Sequence, residues 1–212
     1  MNPVKAELER VSPVEIEKRS FEIIGRELPH PVDESIAPVV KRVIHATADF
    51  DYVDSLYFSE GAIDAALAAL RGGATIVTDT AMALAGINKA ALERHGCAAR
   101  CFIADEDVAS AAAARGITRS AAAVEKAAAL EGPLVFAVGN APTALVRLCE
   151  MMGEGKVRPR LVIGVPVGFV NVIQSKEMLM DSDVPCIVAR GRKGGSTVAA
   201  AICNALLYML GR

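Results

Sequence analysis

Tryptophan is missing from this 212-residue chain, and aromatic residues of every kind make up only 4% of it. A surface that stacks on nucleic-acid bases needs aromatics set in a cationic field. Here the formal net charge is −2, and no basic tract is longer than Arg192-Lys193. Both absences argue against a nucleic-acid partner, while leaving open a local cationic site for a small anionic ligand. Long apolar runs are also missing. The longest, residues 161–173 and 197–210, are interrupted by Gly, Pro or Asn, whereas a membrane-spanning helix needs about 20 nearly unbroken apolar residues. No membrane association is expected. The opening stretch up to Val11 carries acidic residues and no apolar core, which excludes a secretory signal there. The five cysteines include no C-x-x-C pair. Cys97 and Cys101 lie four apart, but no histidine or second cysteine pair completes a tetrahedral zinc set. Free or buried thiols in a reducing cytoplasm are expected instead, with no bound metal. Dinucleotide and P-loop fingerprints are absent as well, since no G-x-G-x-x-G follows an apolar run and no G-x-x-x-x-G-K-[ST] order occurs.

What the chain does have is short apolar runs alternating with alanine-rich segments. Ser12-Pro13-Val14-Glu15 reads as a capping box with proline in the first helical turn. Val14, Ile16, Phe21, Ile24 and Leu28 continue it as a helical stripe. Leu28-Pro29-His30-Pro31 must break that helix. A second helix is expected from Asp33 or Glu34, tolerating Pro38 in an early turn or with a kink and carrying Lys41, Arg42 and His45. Residues 59–70 predict a helix closed by Gly72-Gly73. Strand-like runs then occur at 74–77, 100–104, 134–138, 161–163 and 186–189. Helical segments at 82–85, 88–94, 105–114 and 118–130 fall between the earlier ones. This alternation predicts an α/β domain with a mainly parallel sheet of about five strands, covered on both faces.

Ligands of open α/β sheets bind outside the carboxyl ends of the strands. That rule selects Thr78-Asp79-Thr80, Gly139-Asn140-Ala141-Pro142-Thr143, Gly164-Val165-Pro166-Val167-Gly168 and the loop 190–197. The last combines glycines, Arg190, Arg192 and Lys193 with Ser196 or Thr197 as helix cap. It suits an anion at a helix N-terminus as well as a plain solvated turn. Among three histidines, His30 and His95 sit in polar loop or cap contexts, while His45 lies in an apolar run beside two cations. Arg42 and Lys41 precede it by three and four residues, so either can share its helix face. Spacing alone leaves His45 open between a packed histidine at a helix end and a proton or hydrogen-bond donor. Asp49, four residues on, either orients the imidazole or faces solvent past the helix.

The run Lys41-Arg42-Val43-Ile44-His45-Ala46-Thr47-Ala48-Asp49 closely resembles the histidine motif of the precorrin-8X methylmutases. Glu17-Lys18-Arg19-Ser20-Phe21, Thr78-Asp79-Thr80, Val138-Gly139-Asn140-Ala141-Pro142-Thr143, Gly164-Val165-Pro166-Val167-Gly168-Phe169-Val170 and Arg190-Gly191-Arg192-Lys193-Gly194-Gly195-Ser196 resemble the same family, in the same order, across nearly the whole chain. The resemblance implies a single three-layer α/β/α domain over residues 1–212, usually a homodimer. It implies an isomerase of cobalamin biosynthesis that moves a methyl group from C11 to C12 of an anionic tetrapyrrole. The substrate would be precorrin-8X or its cobalt form, and no cofactor is used. It assigns His45 the role of donor to a ring nitrogen, and links Arg19 and Arg42 to the substrate's carboxylates. Ser20, Thr78, Asp79, Thr80, Asn140, Arg192 and Lys193 are the further substrate-binding candidates. Two rival classes remain at this point: a tetrapyrrole carrier without catalysis, and a nucleotide- or phosphate-using enzyme built on residues 191–197.

Overall fold

A computed structural model describes residues 11–211. Its centre is one six-stranded sheet in the order β1-β6-β5-β4-β2-β3. The strands are β1 (Leu56–Phe58), β2 (Thr75–Thr78), β3 (Ala98–Arg100), β4 (Leu134–Val138), β5 (Leu161–Gly164) and β6 (Cys186–Ala189). All neighbours pair in parallel except the edge strand β1, which runs antiparallel to β6.

Alternating side chains of the inner strands feed two separate cores. Val135, Ala137, Leu161, Ile163 and Ile187 enter one, and Leu134, Phe136, Val138, Val162 and Val188 enter the other. Burial on both faces is why these strands read as unbroken apolar runs rather than alternating ones. On the first face lie α1 (Pro13–Glu27), α2 (Ala37–Thr47), the short α3 (Tyr52–Ser55), α4 (Ala62–Arg71), α5 (Ala81–Gly86), α6 (Lys89–Arg94) and α11 (Ser196–Met209). On the second lie α7 (Glu106–Arg115), α8 (Arg119–Ala128), α9 (Pro142–Gly153) and α10 (Val172–Met180). The result is three layers, α/β/α.

Helix α11 is apolar nearly all round, with Val198, Ile202, Cys203, Leu206 and Leu207 among its buried residues. A helix of that kind needs neighbours on every side. It packs on β4 and β5 and is flanked by α2, α4, α5 and α6. Among the described residues no helix is long and apolar enough to cross a membrane.

Several elements depart from the sequence reading. There are six strands rather than about five, because β1 is three residues long and follows α3 without a break. The third strand occupies Ala98–Arg100, ahead of the predicted 100–104. Phe102 of that run instead packs from a loop into the second core. Helix α2 begins at Ala37, not at Asp33 or Glu34. Asp33 caps the preceding turn, its carboxylate accepting from the Ser35 amide at 2.8 Å and its carbonyl from the Ala37 amide at 2.9 Å. Ser12 does precede α1, but its hydroxyl donates to the Glu15 carboxylate at 2.7 Å rather than accepting a backbone amide.

Candidate functional site

Helix α2 ends at Thr47, and Ala48 takes a left-handed conformation with φ 52°, its amide donating to the Ile44 carbonyl at 2.7 Å. His45, in the last turn, is exposed. Its imidazole stacks on the Phe21 ring of α1, with centroids 5.2 Å apart and planes 15° from parallel. Neither ring nitrogen has a hydrogen-bond partner among the described residues. This is not a packed histidine satisfied by a carbonyl. Arg42, one turn earlier, extends the same column. Its guanidinium lies 4.6 Å from the Phe21 centroid and 5.0 Å from that of Tyr208, and it is paired with Glu17. Cation–π contact of this kind holds a guanidinium in a fixed plane. Arg19 of α1 reaches Glu22 at 3.7 Å, and the Ser20 hydroxyl donates to the Ile16 carbonyl at 2.9 Å.

Asp49 does not orient the imidazole. With Asp51 it grips Lys193 of the β6–α11 loop, at 2.7 and 2.6 Å. The ammonium holds the Asp49 carboxyl below the usual carboxylate range, and the two carboxylates raise Lys193 in turn. This clasp ties the segment just after α2 to the β6–α11 loop at the carboxyl edge of the sheet, four residues beyond His45. Arg192, next to Lys193, is exposed with its guanidinium 5.6 Å from the Phe169 ring.

A second group forms where the strand order reverses, between β2 and β4. Asp79 is 6% exposed, and its carboxylate accepts the consecutive amides of Gly139, Asn140 and Ala141 at 2.8, 2.8 and 2.7 Å. Burial pushes this carboxyl up, and the three amide bonds pull it part of the way back. Thr78 is buried too, its hydroxyl donating to the Thr80 carbonyl at 3.0 Å. The Thr80 hydroxyl caps α5 and meets the Ser196 hydroxyl at 2.7 Å. Neither Ser196 nor Thr197 caps α11; that place falls to Gly195, and Ser196 is tied to Thr80 instead. Gly139 admits no side chain, because a Cβ there would lie 2.9 Å from the Gly195 carbonyl oxygen. The backbone amides that the switch point of an open α/β sheet could offer to a ligand are therefore already taken by the Asp79 carboxylate. Of this group only Asn140 is exposed.

The loop 190–196 joins the two groups, through Lys193 to the end of α2 and through Ser196 to Thr80. Phe21, the ring under both Arg42 and His45, reads in the sequence as one more apolar residue of the α1 stripe. Lys193 reads as a free cation, and its partners lie 144 and 142 residues away. Cavities of about 490 and 740 Å³ open elsewhere, around Pro133, Arg160 and Pro185 at the amino ends of the strands and along the neighbouring Cys149, Met152 and Ser182. His45 lines neither. A hollow of about 370 Å³ does adjoin Arg42, bounded by Phe21, Pro38, Tyr208 and Met209.

These features define an α/β domain in which an exposed imidazole and a paired guanidinium share one aromatic ring, with a loop at the carboxyl edge of the sheet tied to the end of the same helix. Comparison with known proteins gives the class its name. The family model for precorrin-8X methylmutase matches residues 15–209. A cobalt-precorrin-8 methylmutase of Salmonella typhimurium is 50% identical over 208 residues, covering 93% of this chain and 96% of that one. One of Priestia megaterium is 45% identical over 197 residues, covering 92% and 88%. The crystal structure of a precorrin-8X methyl mutase from Thermus thermophilus superposes with a TM-score of 0.84 at 42% identity, covering 92% of this chain and 96% of that one. The chain belongs to the precorrin-8X methylmutase family, and is accordingly an isomerase that transfers a methyl group within one molecule.

Proposed function

We propose that this chain, working as one domain over residues 1–212, moves a methyl group from C11 to C12 of precorrin-8X or cobalt-precorrin-8. The product is hydrogenobyrinate, or cobyrinate where cobalt is already part of the substrate, in cytoplasmic cobalamin biosynthesis. One carbon–carbon bond breaks and one forms in a 1,5-shift, so no atom enters or leaves and no enzyme nucleophile is needed. The observation that carries the reading is His45: exposed, stacked on Phe21 beside the Arg42 guanidinium, and with no hydrogen-bond partner for either ring nitrogen among the described residues. A hydrogen bond or proton from it to a ring nitrogen stabilises the redistribution of charge as the methyl migrates. The family names of the relatives support the substrate class.

The substrate is a flat apolar ring fringed with carboxylates, and the chain supplies suitable partners. Arg42 stacks on Phe21, Arg19 and Ser20 belong to the same helix as that ring, Asn140, Arg192 and Lys193 lie on strand-end loops, and Thr80 caps α5. Holding the ring by its fringe sets its nitrogens against His45, which is the positioning part of catalysis. Thr78 and Asp79, turned inward, enter the site by shaping the loops around the ligand. The active form is a homodimer. Phe169 and Val170 are 84% and 77% exposed on the β5–α10 loop beside Arg192, and apolar surface of that kind favours a partner.

Purified protein incubated with precorrin-8X should change the absorbance to that of a corrin. His45→Ala should still bind the pigment and lose about 10²–10³-fold in rate, the usual cost of removing one such donor. Pigment binding with no spectral change in the unaltered chain would defeat the reading and leave the carrier class, and unimpaired conversion by His45→Ala would move the donor elsewhere.

A further inference from the structure

Lys176 lies in the middle of α10 with 1% of its surface exposed, and among the described residues it is the only buried cation. Lysine usually carries its charge out to solvent on a flexible stem. Here the ammonium turns inward and donates to the backbone carbonyls of Gly191 and Lys193, at 2.8 Å each. Burial pulls its pKa down to about 8, with no charged group contributing. The carbonyl between those two, on Arg192, accepts the Gly168 amide at 3.2 Å. Three consecutive carbonyls of the β6–α11 loop are thus held from the α10 side, while the Arg192 and Lys193 side chains are exposed.

The loop needs such support. Gly191, Gly194 and Gly195 all take positive φ, at 71°, 156° and 129°, so its own backbone restricts it little. Besides Lys176, its attachment to the sheet includes the Gly195 amide donating to the Val165 carbonyl at 2.9 Å. An apolar side chain of similar length would fill the same space without burying a charge.

We propose that Lys176 is a positioning residue for the His45 site: its two bonds set the path of residues 191–193, and so place Arg192 and the Lys193 clasp on the end of α2. The inference rests on the reading that substrate binds at His45. Lys176 never touches the ligand. It acts through the loop, and its chief effect falls on substrate binding.

The test compares Lys176→Met with the unaltered protein in steady-state kinetics on precorrin-8X and in amide hydrogen exchange without ligand. The variant should raise KM about tenfold and change kcat no more than about threefold, the signature of lost ground-state binding. Amides of residues 191–196 should exchange at least about tenfold faster, with β4 and β5 unchanged. Wild-type KM together with unchanged exchange in 191–196 would overturn the proposal. So would faster exchange throughout the sheet with kcat and KM impaired together, because Lys176 would then serve the fold at large. Failure of the unaltered protein to convert precorrin-8X would count against the function reading instead, and the exchange comparison would still report on the strut.

Discussion

Two buried charges lie beneath the loops at the carboxyl edge of the sheet, and their solvation is mirror-imaged. Asp79 accepts three consecutive backbone amides, while Lys176 donates to two backbone carbonyls. Neither has an ionic partner among the described residues; main-chain dipoles do the solvating. The difference lies in what each one holds. Asp79 welds the end of β2 to the start of α9, where the strand order reverses and Gly139 is pressed against Gly195 and Ser196. Lys176 supports a glycine-rich loop that borders solvent on its other side. One buried charge serves the fold and the other serves the placement of surface cations. Stability and activity should therefore respond in opposite proportion when each is removed.

Asp79→Ala should show the largest effect. Three amides, two of them in buried bonds, would lose their acceptor, and a loss of about 3–5 kcal/mol is expected in denaturant unfolding. Asp79→Asn should recover little, since its one acceptor oxygen comes with an NH2 group facing amide donors. A small loss for both would break the comparison from the Asp79 side. Lys176→Met comes next, with a stability change within about 2 kcal/mol, because the lost bonds are offset by no longer burying a cation.

The same contrast is readable in pH. The folded pKa of Lys176 is depressed to about 8 from 10.5. Below 8 the cost of burying its charge is fully present, and between 8 and 10.5 the unfolded chain binds more protons. Stability of the unaltered protein should therefore rise with pH across that window relative to Lys176→Met, by at most roughly 3 kcal/mol. Asp79 is shifted up, so its window lies above 3.8 on the acid side, and stability there falls as pH rises. A flat alkaline profile for the difference between the two proteins would contradict the buried, uncompensated ammonium. Smallest of all should be Lys193→Met. Its ion pairs are exposed, so melting temperature should barely move and the residual effect should vanish in high salt.

Much of the fold is legible in the sequence because burial on both faces leaves an unmistakable record. Runs such as Leu134–Val138 and Cys186–Ala189 coincide with strands. β1 leaves no such record, since Leu56–Phe58 is short and only its first residue is buried. Phe102 misleads in the other direction, as an apolar loop residue extends the apparent third strand. At the candidate site, local spacing brings Arg42 and His45 onto one helix face, and the structure agrees. Contacts between distant segments are another matter. Nothing near Asp49 announces Lys193, and nothing in Gln174-Ser175-Lys176-Glu177 marks the lysine as turning inward together with the serine. Asp79 looks like a ligand-facing carboxylate in a strand-end loop until its three amides, sixty residues away, are brought to it.

Ala48 shows how tightly the end of α2 is held. A residue with a Cβ in the left-handed region costs about 1 kcal/mol that glycine would not incur. Alanine nevertheless leaves the chain after His45 far fewer conformations than glycine would, in the folded and the unfolded states alike. The bonds of the Lys193 clasp act on a link whose freedom is already narrow, so little entropy remains to be lost there on binding at the proposed site. Part of the ordering that binding at this edge requires is complete before any ligand arrives.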